Sequence, residues 1–112
     1  MTKRYYKGRK IEYLARDSLI RDGWFVVRSA GSKGIADLVA IRPSRLDPKQ
    51  PEVALIQCSA GKKPLRQVQK LLNLCKYLRV TPCLAIKGSK IPILWFWGEG
   101  AISKLYKKLK RV

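Results

Sequence analysis

An α/β domain with a mixed five-stranded sheet and helices packed against it is the fold that the sequence predicts. Three observations predict it. Short runs rich in β-branched and aromatic residues recur between turn residues. Longer segments carry apolar residues at helical spacing. The strand-like runs are apolar on both faces, which suits a sheet covered by helices. The predicted order is α-β-β-β-α-β-β-α, in a single domain over residues 1–112.

The opening, MTKRYYKGRK, reads as a basic arm (residues 1–8) leading into a helix. RKIEYLARDSLIRDGW places Ile11, Leu14, Ala15, Ser18 and Leu19 on one helical face, and Gly23 supplies a stop. WFVVRSA is a strand and GSKG a turn. IADLVAIR is a second strand, apolar on both faces apart from Asp37. PSRLDPKQP is a polar hairpin loop and EVALIQCSA the third strand. Pro64 suits the first turn of a second helix, in which Leu65, Val68, Leu71, Leu72, Cys75 and Leu78 form a stripe. PCLAIK and PILWFW are strands four and five. The tail, residues 100–112, reads as a short basic helix with Ile102, Leu105, Tyr106 and Leu109 inward. PILWFW sets Ile93, Trp95 and Trp97 on one face and Leu94 and Phe96 on the other; burying both calls for a partner chain or for the tail helix as cover.

Lysine and arginine number 25 against seven acids, a formal net charge of +18. Such an excess points to a polyanionic partner, because each phosphate neutralised by Lys or Arg releases condensed counterions. A small RNA-binding protein of ribosomal type and a membrane-surface protein share this balance. No apolar run approaches the ~18 residues of a membrane span, and the basic N-terminus has no hydrophobic segment behind it, as a secretory signal would. The absence of histidine excludes a zinc finger and a histidine-based triad. Cys58, Cys75 and Cys83, an odd set with no CxxC pair, read as buried apolar residues in a reducing compartment, in keeping with a cytoplasmic setting.

Most of the acids are explained as solvated residues. Asp37 is not, since an unpaired carboxylate near the start of an apolar strand is costly to bury. Glu12 flanks the apolar stripe of the first helix; it either faces the sheet edge or pairs with Arg16 at i+4. Along LIQCSAGKK (residues 55–63), side chains alternate, so Gln57 and Ser59 share a face and Cys58 opposes them. With Asp37 and Gln57 on neighbouring strands, the Asp37 carboxylate, the Gln57 carbonyl, the Cys58 backbone carbonyl and waters would make an all-oxygen site suited to Mg²⁺. Such an ion beside a basic groove supplies what phosphodiester hydrolysis needs.

Two segments carry a family pattern. VVRSAGSKGIADLVAI sets R-S-A-G-S shortly before D-L-V-A, and YYKGRKIEYLARDSLIRDGW opens as a K-G-x-x-x-E helix ending in a Gly-aromatic turn. Through them the chain resembles the archaeal-type Holliday-junction resolvases of the PD-(D/E)XK nuclease superfamily, from about Lys7 to Lys87. The resemblance implies a restriction-endonuclease-like core. It also implies a homodimer that cuts four-way DNA junctions with Mg²⁺ (Mn²⁺ substituting) in DNA recombination and repair. By position, Asp37 would be the metal-binding aspartate and Glu12 the helix glutamate of the metal site. Ser32 would match a serine important for cleavage, and Arg28, Ser29 and Lys33 would line the DNA-facing loop. Gln57 and Ser59 would stand at the E-x-K element of the motif.

The chain departs from that pattern twice. Gln57 replaces the glutamate; its amide oxygen still coordinates a hard cation, with one negative charge fewer. Ser59 replaces the lysine and is uncharged and short, a loss that costs orders of magnitude in rate where such a group stabilises developing charge. Three readings of Ser59 compete: Lys62 or Lys63 reaches back into the site; the chain is a weak or inactive relative that binds branched or duplex DNA; or the serine is an engineered replacement. For DNA, three basic groups would surround one sheet edge: Lys3, Arg4, Lys7, Arg9 and Lys10; Arg28 and Lys33; and Lys62, Lys63 and Arg66. Such contacts fix position without reading bases. Tyr5 and Tyr6 either stack on exposed bases or pack on the domain.

Overall fold

A computed structural model of the chain describes residues 3–29 and 34–109, with side chains from residue 9 onward. The elements run α1 (Lys3–Arg21), β1 (Phe25–Arg28), β2 (Leu38–Pro43), β3 (Pro51–Ser59), α2 (Leu65–Leu78), β4 (Thr81–Lys87), β5 (Ile93–Trp97) and α3 (Gly98–Leu105). The expected order holds. The sheet has five strands in the order β1-β2-β3-β4-β5. Only β3 and β4 are parallel, linked through α2; the other pairs are antiparallel. This mixed sheet between helices agrees with a restriction-endonuclease-like core. Among the described residues, no helix is long and apolar enough to cross a membrane.

Period-two alternation divides the sheet into two cores. On one face, α1 brings Ile11, Ala15 and Leu19 against Leu38, Ala40, Ala54, Ile56 and Cys58. On the other, α2 and α3 bring Val68, Leu71, Leu72, Cys75 and Ile102 against Leu55, Leu84 and Ile86. Phe96 packs with this second cluster. On the second face of β5 the tail helix therefore covers Phe96, while Leu94 stays 41% exposed.

Several boundaries differ from expectation, each for a local reason. The helical backbone of α1 begins at Lys3, so the segment read as an arm continues the helix. Leu14, Leu65 and Leu78, assigned to buried stripes, are 37%, 38% and 48% exposed, because they sit at the flank or ends of their helices. The tail helix starts earlier and ends sooner than expected. Gly98, at φ +86, turns the chain straight from β5 into α3, and Tyr106 leaves the helix in an extended conformation. Gly23, at φ +89, closes α1 as expected, a conformation open to glycine at no steric cost.

All three cysteines are free and buried. Burial pushes the Cys75 thiol up to about 11 and raises Cys58 and Cys83 further. Thiolate is the reactive form, and a free cysteine ionises near ~8.5. Native protein at pH 8 should therefore resist iodoacetamide at all three positions, while unfolded protein is alkylated fully. Mass spectrometry of the labelled chain checks this, and rapid native labelling at any of the three would contradict the burial described.

Candidate functional site

The site forms where β2 begins and β3 ends. Leu38 stands opposite Ile56, and the same antiparallel register carried one residue on sets Asp37 opposite Gln57. The Asp37 N–H donates to the Ile56 carbonyl at 2.8 Å, and the Asp37 carbonyl accepts the Ser29 N–H at 2.8 Å. Its backbone is thus fixed from both sides. Its side chain reaches across the end of β3, where Oδ2 accepts the Cys58 backbone N–H at 2.7 Å. The carboxylate is only 14% exposed, and Lys63 supplies the counter-charge, with Nζ 3.5 Å from the same Oδ2. Asp37, Gln57 and Lys63 line one cleft of about 410 Å³, together with Gly34, Ile35, Gln67 and Lys70.

Gln57 is 3% exposed. Its Nε2 donates to the Ile35 carbonyl at 2.9 Å and to the Gln67 carbonyl at 3.1 Å. Both partners are acceptors, so the amide can turn only its nitrogen toward them. The oxygen is left buried without a hydrogen-bond partner. A buried acceptor in that state costs about 1–3 kcal/mol unless a cation or a water meets it. The donor types fit a hard, hydrated cation: the Asp37 carboxylate, the Gln57 amide oxygen, and the Cys58 carbonyl at the same strand end. Among the described residues, no three His, Cys, Asp or Glu side chains converge. A cation here would therefore keep much of its water, as Mg²⁺ habitually does.

The residues that follow Gln57 separate in role. Ser59 does not line the cleft. Its hydroxyl donates to the Gly61 carbonyl and accepts the Gly61 N–H at 3.2 Å, closing the turn after β3. Lys62 points elsewhere, with Nζ 4.7 Å from the Tyr106 ring centroid. Of the two candidate lysines, Lys63 is the one brought to Asp37.

Glu12 lies apart from this cleft. It accepts from Arg28 Nε at 2.9 Å, in a pair whose side chains are 18% and 28% exposed. Of the two alternatives for Glu12, the i,i+4 pairing with Arg16 is not formed; Arg16 instead pairs with its neighbour Asp17. The Arg16 and Arg28 guanidiniums both lie over the Tyr13 ring, at 5.0 and 5.1 Å. Glu12 still belongs to the same strand end. Burial first, then the charges of Asp37 and Glu12, push the Cys58 thiol up.

Among the basic candidates, Lys10, Lys62 and Arg66 are exposed, while Arg9, Arg28 and Lys63 are half-buried, as is Ser29. Ser32 and Lys33 lie outside the described residues, as do the side chains of Lys3, Arg4, Tyr5, Tyr6 and Lys7. Gln67 and Lys70 were not anticipated. Their signal was present: Gln67 and Lys70 are spaced one turn apart on the flank of α2 away from its apolar stripe.

No protein-family model matches the chain. It is 33% identical over 92 residues to the crossover junction endodeoxyribonuclease Hjc of Methanocaldococcus jannaschii, a span of 78% of this chain and 63% of that protein. The chain thus matches somewhat under two thirds of that relative's length.

The two carbonyl partners of Gln57 explain why glutamine suits this position, and they generate a prediction. Gln57→Glu would set a carboxylate against the Ile35 and Gln67 carbonyls. It should destabilise the metal-free fold by about 1–3 kcal/mol. Urea unfolding with EDTA measures this; unchanged stability would contradict the assigned amide orientation.

Proposed function

We propose that this chain, a relative in sequence of the archaeal-type Holliday-junction resolvases, is a Mg²⁺-dependent, structure-selective endonuclease that cuts four-way DNA junctions. The observation that carries the reading is the approach of Lys63 Nζ to Asp37 Oδ2 at 3.5 Å. It returns a positive charge to the place left empty by Ser59.

The residues take these roles. Asp37 and the unpartnered Gln57 oxygen would hold the ion, Mg²⁺ or Mn²⁺, with the Cys58 carbonyl available at the strand end. The bound ion supplies Lewis acidity and lowers the pKa of its water. Lys63 orients the attacking water and offsets negative charge that develops on the phosphate. The Cys58 N–H keeps the Asp37 carboxylate pointed into the cleft. Glu12, held by Arg28, completes the acidic side of the same strand end. Arg9, Lys10, Arg66 and Lys70 bind backbone phosphates, which positions a branch by shape rather than by sequence. Two symmetric cuts suit a two-fold homodimer, so the protein should sediment as a dimer at micromolar concentration.

The test is single-turnover cleavage of a four-way junction and a matched linear duplex, with Mg²⁺, Mn²⁺ or EDTA. The junction should be cut with either metal and the duplex spared. Lys63→Ala should lower the rate by about 10²- to 10³-fold with junction affinity largely kept, whereas Lys62→Ala should change it by no more than about threefold, the scale of a surface contact. Tight junction binding without cleavage by the unaltered chain would overturn the catalytic reading and leave a branched-DNA binder.

A further inference from the structure

The loop that carries Lys63, residues 60–64, lies between the end of β3 and the start of α2 and belongs to neither. A lysine on such a loop has a long, flexible stem rooted in backbone that no ladder fixes. Yet its ammonium must stand beside Asp37 to act, and misplacement by even an ångström is costly for a group of this kind. Something has to hold the loop.

One residue touches both members of the lysine pair. The Tyr106 hydroxyl donates to the Lys63 carbonyl at 2.6 Å, and its ring lies under the Lys62 ammonium at 4.7 Å. Tyr106 is itself firmly seated. It is 5% exposed within the core formed by α2, α3 and the sheet, and its N–H donates to the Ile102 carbonyl at 3.0 Å. At its other end the loop is closed by the Ser59–Gly61 turn. We infer that Tyr106 is a positioning residue: the segment after α3 straps down the 60–64 loop and so sets Lys63 against Asp37. The inference rests on the reading of Lys63 as the functional lysine. Burial also raises the Tyr106 pKa, which keeps the phenol a donor throughout the neutral range.

Tyr106→Phe tests this, since it keeps the ring, its burial and the Lys62 contact and removes only the hydroxyl. The variant should melt near the parent and bind the junction as tightly, while its single-turnover rate falls roughly three- to tenfold, the scale of one hydrogen bond. Adding Ser59→Lys should restore the rate, because a lysine rooted in β3 does not depend on the loop. Parental cleavage by Tyr106→Phe, or no recovery with Ser59→Lys, would overturn the inference. A second measurement stands apart from cleavage. In NMR spectra of ¹³C-methylated lysines, Asp37→Asn should shift the Lys63 signal strongly in the parent and weakly beside Tyr106→Phe. Equal shifts in both backgrounds would overturn the positioning role even for a chain that cuts no DNA.

Discussion

Asp37 Oδ2 lies between the Cys58 amide at 2.7 Å and the Lys63 ammonium at 3.5 Å, and the rest of the site is arranged around that meeting. A carboxylate at the edge of an apolar sheet is tolerated only when donors and opposite charge meet it. The amide is available because β2 begins only at Leu38, paired with Ile56, so the Cys58 N–H lies beyond the β2–β3 ladder. The charge comes from the connection to α2, through Lys63, since Ser59 on the strand carries none. Everything that shapes that connection, the Ser59 turn and the Tyr106 strap included, thereby acts on the carboxylate.

The same arrangement sets the charge balance. In the cleft, Asp37 is offset by Lys63; at the neighbouring edge, Glu12 is offset by Arg28. Gln57 adds an oxygen without adding charge. A divalent cation, as proposed, would meet one carboxylate already shared with an ammonium, a weaker hold than two free acids would give. A phosphate would meet less repulsion and, with +18 over the chain, a strongly favourable approach. If Gln57 and Ser59 stand where the proposed motif has Glu and Lys, one charge of each sign is gone; Lys63 then supplies the positive one beside Asp37.

The element order was legible in the sequence because strands that are apolar on both faces and helices with apolar stripes have different periods. The convergence of Asp37 and Gln57 was legible too, since both stand at strand ends flanked by apolar residues that fix the register. The choice between Lys62 and Lys63 was not. It depends on how a five-residue connection, residues 60–64, leaves β3, and that in turn depends on Tyr106, which is 43 residues away from Lys63 along the chain. Tyr106 read only as an inward tail residue, because periodicity reports burial and says nothing of where a hydroxyl lands. For Glu12 the sequence left open whether it faces the sheet edge or pairs with Arg16; its partner is Arg28 on β1, a tertiary contact that outweighs the i,i+4 preference. The helix α3 begins within a Gly-Glu-Gly run that reads as a turn, and only the packing of Ile102 on the sheet marks it as helical.

In the proposed site, the lysine that serves Asp37 stands on the loop rather than on the strand. Transplantation tests it most directly: the single-turnover rate of four-way-junction cleavage in Mg²⁺ is measured for Lys63→Ala and for Lys63→Ala combined with Ser59→Lys. The single variant should be nearly inactive, and the double variant should recover a rate within about tenfold of the parent, the range left by imperfect geometry. A double variant as inactive as Lys63→Ala, or a Lys63→Ala protein as active as the parent, would contradict this placement.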